Sequence, residues 1–366
     1  MTRYDGPVAD GLLAVNRLER AMTSDLREGT VGFTWWADYP MPAETLGWLS
    51  HYLTDAVGAI AINLRDAAVH LTKYDDAVRR ENIFFARRRR SSNGVPNLAD
   101  RSGVDDLRLA EIVAERAGFF RAVGSVLDTL AAVVVGVGAI DINVVKADWG
   151  TLNTADTAPT YPRTSGERGR RLRNSLAGTD TDGGIAQDQL LRAVRAAIKA
   201  AGPVGWETWA LATRNGVVHR ARWSEFLVQV DKHNPEAGTY WLLPRQPELV
   251  EGYELQRVDS LPEVALTEDA AITMRGVLGS VTPVVQAVTA ECKKLWERRR
   301  LEPRMLPQPH GEWLPPPAPP FVGYKPGAAN AALAQAKTVH VGPGQTIRIS
   351  ALFRPQKPWQ RRRRGE

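Results

Sequence analysis

The sequence contains little of what builds a disulfide framework or a metal centre. Cys292 is the single cysteine among 366 residues. One thiol forms no internal disulfide, and a zinc site needs several ligands. His51 and His233 have no partner at metal-ligand spacing. We therefore expect a reducing compartment, no metal and no cofactor.

Targeting signals and long apolar runs are also scarce. Residues 1–20 lack the apolar segment and the cleavage site of a signal peptide. The longest apolar run, 130–140, is too short to span a bilayer and holds two glycines. We interpret it as the buried end of a helix. These features predict a cytoplasmic protein without a membrane partner.

Phosphate-binding loops are absent as well, but positive charge is not. The glycine-rich stretches 178–184 and 342–344 lack the lysine and the helix context of such a loop. The formal net charge is +6 and the sequence pI is near 9.5. A basic balance favours a polyanionic partner. The hydrophobic fraction of 43% is ordinary for a globular chain of one large domain or two modest ones.

Apolar residues recur mainly at helical spacing, which predicts a mainly α fold, a helical bundle. Leu46, Leu49, Leu53, Val57, Ile60, Leu64 and Leu71 form one stripe. This helix is predicted to end near Asp75 and to be followed by a second piece ending at Arg87–Arg90. Further helices are predicted from Asp105 to Leu130, over 187–201, from Trp206 past His219, and over 267–300 with a kink at Pro283.

Composition divides the chain into four parts. They are an N-terminal arm (1–40), a helical domain (41–300) with a long polar insertion around 141–184, a proline-rich linker (301–336), and a β-hairpin with a basic tail (337–366). Within the arm, 31–36 (VGFTWW) predicts a short strand or an apolar plug. Short strands are also predicted at 240–243 and 254–258.

The hexapeptide RNGVVH at 214–219 is the sharpest chemical feature. Metal-free RNA cleavage uses the 2′-hydroxyl as internal nucleophile, and a histidine such as His219 can move its proton. An arginine such as Arg214 stays charged and can hold the phosphate by paired hydrogen bonds. Asn215 could orient the histidine or a phosphate oxygen.

The hexapeptide resembles the R-N-x-x-x-H form of the R-x4-6-H motif of HEPN-domain proteins, helical bundles that often act as metal-independent ribonucleases. Residues 119–132 also resemble an early core helix of several HEPN groups. In its pattern of helices, the resemblance extends over roughly residues 44–300. In its sequence motif, it is limited to six residues. It implies a HEPN-like bundle with catalytic Arg214, His219 and Asn215, and a homodimer with two motifs facing one groove. It further implies an endoribonuclease serving as a toxin or antiviral defence effector, with an antitoxin or other protein partner.

Geometry sets a condition on this hypothesis. Positions five apart on a regular helix lie about 140° from each other. Arg214 and His219 therefore converge only if Asn-Gly loosens the turn, if the long arginine reaches round, or if a second subunit completes the cleft. The alternative is an inactive HEPN-like scaffold in which both residues are ordinary surface groups.

Other residues carry weaker hypotheses. Arg65 and His70 repeat the Arg-x4-His spacing, but on a helix where the motif is not expected, and they are interpreted as the polar flank of an amphipathic helix. Asp128 and Glu115 could each support an active-site histidine by hydrogen bonding, although exposed helical carboxylates are common.

Three basic runs, at 87–90, 168–173 and 361–364, favour RNA as the polyanionic partner. Each run alone is equally typical of a solvated surface. Phe353 and Trp359 could stack on unpaired bases. Two readings of the whole chain compete with the nuclease: a non-catalytic scaffold or nucleic-acid-binding interaction protein, and a structural component of a larger assembly. The candidate nucleic-acid-binding residues are Arg220, Arg222, Arg168, Arg170, Arg171, Arg173, Arg361, Arg362, Arg363 and Arg364.

Overall fold

The fold is seen in a computed structural model. It describes residues 5–26, 32–36, 39, 41–92, 103–152, 170–178, 180–219, 226–229, 239–245, 261–306, 321, 323–325, 327–331, 338–340 and 346–348. Two compact units divide the chain, residues 1–315 and 316–366. The first unit is mainly α, as predicted, and it contains every residue of the sites described below.

Besides a short helical segment at 170–174, seven helices are described in the first unit. They are α1 (Ala9–Thr23), α2 (Ala43–Ser92), α3 (Gly103–Val137), α4 (Asp182–Ala201), α5 (Trp206–His219), α6 (Leu261–Val264) and α7 (Ala270–Leu301). Helices α2 and α3 pack along each other as the most extensive pair. Helix α7 contacts α1, α2, α3 and α4 and so lies at the centre of the bundle.

The longest helix is one element where two were predicted. Helix α2 runs without a break from Ala43 to Ser92. The predicted apolar stripe is confirmed, since all seven of its residues are buried. The stripe continues through Tyr74, Ala77, Val78 and Phe85, which are also buried. Hydrophobic burial therefore carries the helix past the polar residues near Asp75.

Residues 1–40 contribute to the core. Helix α1 buries Leu12, Val15, Leu18 and Met22, mainly against α7. Phe33 and Trp36 are buried against Trp296 of α7, with ring centroids 4.6 and 6.1 Å away. The apolar-plug interpretation of 31–36 is thus confirmed, whereas the description of 1–40 as an arm omits the packed helix α1.

A small sheet stands beside the helices. It consists of β1 (Phe226–Gln229), β2 (Thr239–Pro244) and β3 (Ala265–Asp269), antiparallel and in the order β1-β2-β3. The strand predicted at 240–243 is confirmed, and the one predicted at 254–258 lies outside the described residues. Thr267–Asp269 belong to β3, so the helix predicted from 267 begins at Ala270. Asp269 caps it by accepting a hydrogen bond from the Ala271 amide at 2.9 Å.

The polar region after α3 is partly core. Helix α3 ends at Val137, and the apolar run 130–140 is buried as predicted. Beyond it, Ile142, Val144, Trp149, Leu152 and Leu172 are buried. The insertion predicted around 141–184 therefore packs onto the bundle wherever it is described, because apolar residues are spaced among its polar ones.

Two helices are long and apolar enough to cross a membrane by length and composition alone, α7 and the part of α3 from Asp106. Their most apolar windows are 61% and 78% buried inside the fold. Burial in the bundle accounts for their composition.

The second unit contains a β-hairpin, as predicted. Strand β4 (Thr338–His340) pairs antiparallel with β5 (Thr346–Arg348), with Val339 opposite Ile347. Phe321 and Tyr324 are exposed and contact each other edge to face, with ring centroids 5.4 Å apart.

Candidate nucleic-acid interface

Arg214 lies where α5 packs against α3. Its Nη2 donates to Oδ2 of Asp128 at 3.0 Å, and both side chains are about one quarter exposed. The stem crosses Gly124 so closely that a Cβ there would lie 2.8 Å from Nε of Arg214. The absence of a side chain at Gly124 thus opens the path of the arginine to Asp128. This pair joins residues 86 positions apart.

Asp128 also organises the segment after α3. Its Oδ1 accepts a hydrogen bond from the Trp149 amide at 3.0 Å, and the Trp149 indole donates to buried Glu207 at the start of α5. The four residues form one polar network across two helices and the 3-10 helix Trp149–Leu152. Arg214 is therefore held against α3 by a network that also positions α5.

Two of the three routes by which Arg214 could meet His219 are not taken. Helix α5 is continuous through Asn215 and Gly216, so the turn is not loosened. The guanidinium lies against α3, so the arginine does not reach round its own helix. Asn215 is half-buried. His219 ends α5, and its side chain lies outside the described part of the chain, as do Arg220 and Arg222. Completion of the cleft by a second copy is the third route.

The second Arg-x4-His hexapeptide is divided between two partners. Nε of Arg65 donates to Asp5 at 3.2 Å, whereas Nδ1 of His70 is 2.7 Å from Oε2 of Glu115. Glu115, which was proposed from the sequence to support an active-site histidine, contacts a histidine outside the motif at 214–219. That histidine is His70, on the packed face between α2 and α3.

An arginine face is formed by the exposed side chains Arg170, Arg171 and Arg173. They lie on a short helical segment, 170–174, whose Leu172 is buried in the core. Because Leu172 faces inward, its three arginine neighbours face solvent. None of the three forms an ion pair with any residue that the structure describes. Three exposed guanidinium groups on one turn make a compact cationic surface.

The segment carrying the arginine face is tied to the bundle by buried hydrogen bonds. The Asp141 amide donates to the Ser175 carbonyl at 2.9 Å. Gln187 of α4 is buried, and its Nε2 donates to the carbonyls of Gly138 and Ala139 at 2.8 and 3.2 Å. Its Oε1 accepts from the Ala177 amide at 2.7 Å. One amide side chain thus fixes the end of α3 and the end of the arginine segment together.

A cleft of about 210 Å³ opens beside the arginine face. Lys146 and Arg171 are exposed and have no acidic partner among the described residues. Asp148 is also exposed, and its Oδ1 accepts from both the amide and the hydroxyl of Thr151 at 2.8 Å. The lining residues are Ile142, Asn143, Lys146, Asp148, Thr151, Arg171 and Leu172.

Sequence reasoning identified only Arg171 in this cleft. Lys146 and Asp148 lie in the region interpreted as a polar insertion, and no motif distinguishes them. The spacing of Asp148 and Thr151 signals a helix cap, which the structure contains, but not a cleft. Arg168 and Arg361–Arg364 lie outside the described residues. No group of three metal-ligating side chains occurs in the described ranges.

The fold and this surface define a helical-bundle protein with a small antiparallel sheet and a basic cleft. Comparisons with family models, curated proteins and solved structures found no match.

Proposed function

We propose that the protein is a non-catalytic RNA-binding interaction protein, which holds the phosphate backbone of RNA on the arginine face. The observation that carries this proposal is the burial of Leu172, which presents Arg170, Arg171 and Arg173 to solvent without ion-pair partners among the described residues. Unpaired arginines are the groups best suited to paired hydrogen bonds with phosphate. The formal net charge of +6 adds long-range attraction for a polyanion.

The structure also gives a physical reason to prefer binding over catalysis. The guanidinium of Arg214 donates to Asp128 and is fixed against α3. A catalytic arginine must instead face the phosphate and its developing charge. The arginine face has no such partner in the part of the chain that the structure describes, so its charge is available to a ligand.

The test is salt-dependent binding of a single-stranded RNA to the full chain, measured by fluorescence anisotropy. In the test variant, Arg170, Arg171 and Arg173 are changed to Gln. On a single strand, each phosphate contact contributes about 0.7 to the magnitude of the slope of log affinity against log salt concentration. Loss of three contacts should therefore reduce that magnitude by about 2. We expect affinity to fall at least tenfold at low salt.

The matched control removes the same charge elsewhere. Arg79, Arg80 and Arg192 are exposed and paired with Asp76, Glu111 and Asp188. Changing these three to Gln should leave the salt slope within about 0.5 of the original. Equal weakening by the two triple variants would show that only net charge matters and would contradict the proposal.

A second candidate function is the metal-independent HEPN-type endoribonuclease, acting as a toxin or defence effector. The RNGVVH hexapeptide on α5 supports it, since it supplies the arginine and the histidine that metal-free RNA cleavage needs. Because the guanidinium of Arg214 contacts Asp128 on α3, such an enzyme would use a homodimer in which another copy completes the groove.

The same RNA separates the two functions. The binding reaction is incubated in chelator and run on a denaturing gel, beside His219→Ala and Arg214→Lys, the latter retaining a cation for Asp128. Intact RNA in all three reactions supports the non-catalytic protein. Cleavage by the original chain that both variants lose supports the nuclease.

A further inference from the structure

The cleft beside the arginine face contains both cations and a hydrogen-bond acceptor. Lys146 and Arg171 can neutralise a phosphate, but Asp148 repels one. A surface that bound phosphate alone would gain from having no carboxylate there. The mixed lining instead suits a ligand that carries an anion and a hydroxyl donor close together.

We propose that this cleft is a ribose-selective subsite for one nucleotide of the RNA. Lys146 and Arg171 hold a phosphodiester, and Asp148 accepts a hydrogen bond from the neighbouring 2′-hydroxyl. This inference rests on the RNA-binding function proposed above and deepens it, because it gives the means by which the protein distinguishes RNA from DNA. The 2′-hydroxyl is the group by which a protein can make that distinction.

The carboxylate of Asp148 has one oxygen available for this role. Oδ1 is occupied by the amide and the hydroxyl of Thr151. Oδ2 receives no hydrogen bond from any residue that the structure describes. An ionised carboxylate only accepts hydrogen bonds, so Oδ2 selects a donor such as a hydroxyl.

Size and charge limit the occupant. Pockets that enclose a drug-sized ligand measure about 300–1,000 Å³. A cleft of about 210 Å³ therefore holds a phosphate and its adjoining sugar and leaves the base outside. Among the described lining residues, two cations and one carboxylate leave a single positive charge, which matches the single negative charge of a phosphodiester.

The cleft is also preorganised. Its floor residues Ile142 and Leu172 are buried. Trp149, next to Asp148, is fixed through its amide to Asp128 at 3.0 Å. Binding a nucleotide would orient exposed side chains and would not require the backbone to move, which limits the entropic cost of association.

The decisive variant is Asp148→Asn. Asparagine can keep an oxygen for the amide and the hydroxyl of Thr151, and it places an amide donor where Oδ2 was. The cap is preserved, the acceptor is lost, and one negative charge is removed. A purely electrostatic role predicts that RNA and DNA binding rise equally. A ribose-selective role predicts that the difference between them disappears.

The experiment compares anisotropy titrations of the full chain with two single strands of the same base sequence. Both contain uracil, so only the 2′-hydroxyl differs. We expect the original chain to bind RNA about tenfold more tightly than DNA, the effect of one hydrogen bond to a charged acceptor. Asp148→Asn should bind both strands with affinities within twofold of each other. Lys146→Gln should weaken both strands in parallel.

A control addresses the cap itself. Thr151→Val removes the hydroxyl from Oδ1 but retains the backbone amide and leaves Oδ2 unchanged, so the RNA preference should persist. Three results would each overturn the subsite. The first is loss of the RNA preference in Thr151→Val, the second is its persistence in Asp148→Asn, and the third is its absence from the original chain. Binding that depends on the arginine face but does not distinguish the strands overturns the subsite alone. Absence of binding to either strand overturns the RNA-binding function together with it.

Discussion

A single buried arginine joins three parts of the bundle. Arg299 of α7 is fully buried, and its Nη1 donates to the carbonyls of Gly136 and Val137 at 3.2 and 2.6 Å. Its Nη2 donates to the Tyr39 hydroxyl at 3.0 Å. Burial lowers the pKa of Arg299, while Tyr39 opposes that shift. A cation at the C-terminal carbonyls of α3 also complements the helix dipole.

Arg299→Met should lower the free energy of unfolding by about 3–5 kcal/mol, because buried carbonyls lose their donor. The stability of Arg299→Lys should lie between that of the original chain and that of Arg299→Met. The ammonium of lysine keeps the positive charge but cannot donate to both sets of acceptors as the guanidinium does. Denaturant unfolding followed by tryptophan fluorescence measures both changes. The neighbouring Arg298→Met serves as control, since Arg298 is exposed near Glu302 and its loss should cost less than about 1 kcal/mol. Similar losses for Arg298→Met and Arg299→Met would contradict this role.

The sequence predicts which residue types could carry chemistry better than it predicts which residues contact each other. The sequence singled out Arg214, Asp128 and Glu115 by type. It could not pair Arg214 with Asp128, because the contact depends on the packing of α5 over Gly124. It could not place Lys146 or Asp148 in one cleft with Arg171, since the cleft exists only after the chain returns to the end of α3.

At the scale of elements, apolar periodicity predicted most of the helices. Runs of polar residues led to wrong positions for some helix ends. The predicted break near Asp75 follows from consecutive polar residues. In the fold, Asp75 accepts two hydrogen bonds from Arg275 of α7 at 3.0 Å. The polar run is thus satisfied by a distant helix. Helix α1 was missed although its buried residues recur at helical spacing, because its burial depends on α7, far along the chain.

The α2–α3 contact depends on one missing side chain. A Cβ at Gly118 would lie 2.4 Å from Cε1 of His70, whose ring is held by Glu115. Gly118→Ala should therefore destabilise the protein by about 1–3 kcal/mol, the range for overpacking. With His70→Ala also present, the same change should stabilise the protein by up to about 1 kcal/mol, since alanine is the better helix former.

A double-mutant cycle on denaturant unfolding measures this change of sign. The same sign in both backgrounds would show that the His70 ring moves aside at little cost and that Gly118 does not determine the packing.

The whole molecule has a built-in reporter in Cys292. It lies on the central helix α7 and is fully buried. Burial, and secondarily the charge of Glu291, raises the pKa of this thiol well above its ordinary value. Because the thiolate is the reactive form, the native protein should resist alkylation.

Iodoacetamide labelling at increasing denaturant should follow the global unfolding curve measured by tryptophan fluorescence, with the same midpoint and slope. A Cys292→Ala chain controls for other sites of labelling. Rapid labelling in native buffer would show that α7 opens locally while the rest of the bundle stays folded.

The anchoring by Gln187 has a consequence for how this molecule could change. The amide that ties the end of α3 to the end of the arginine segment is buried, whereas Lys146 and Arg171, which would meet a ligand, are exposed. Specificity and folding thus depend on separate atoms. Substitutions at Lys146 or Arg171 could redirect recognition to a new ligand, by natural drift or by design, while the scaffold beneath them is inherited intact.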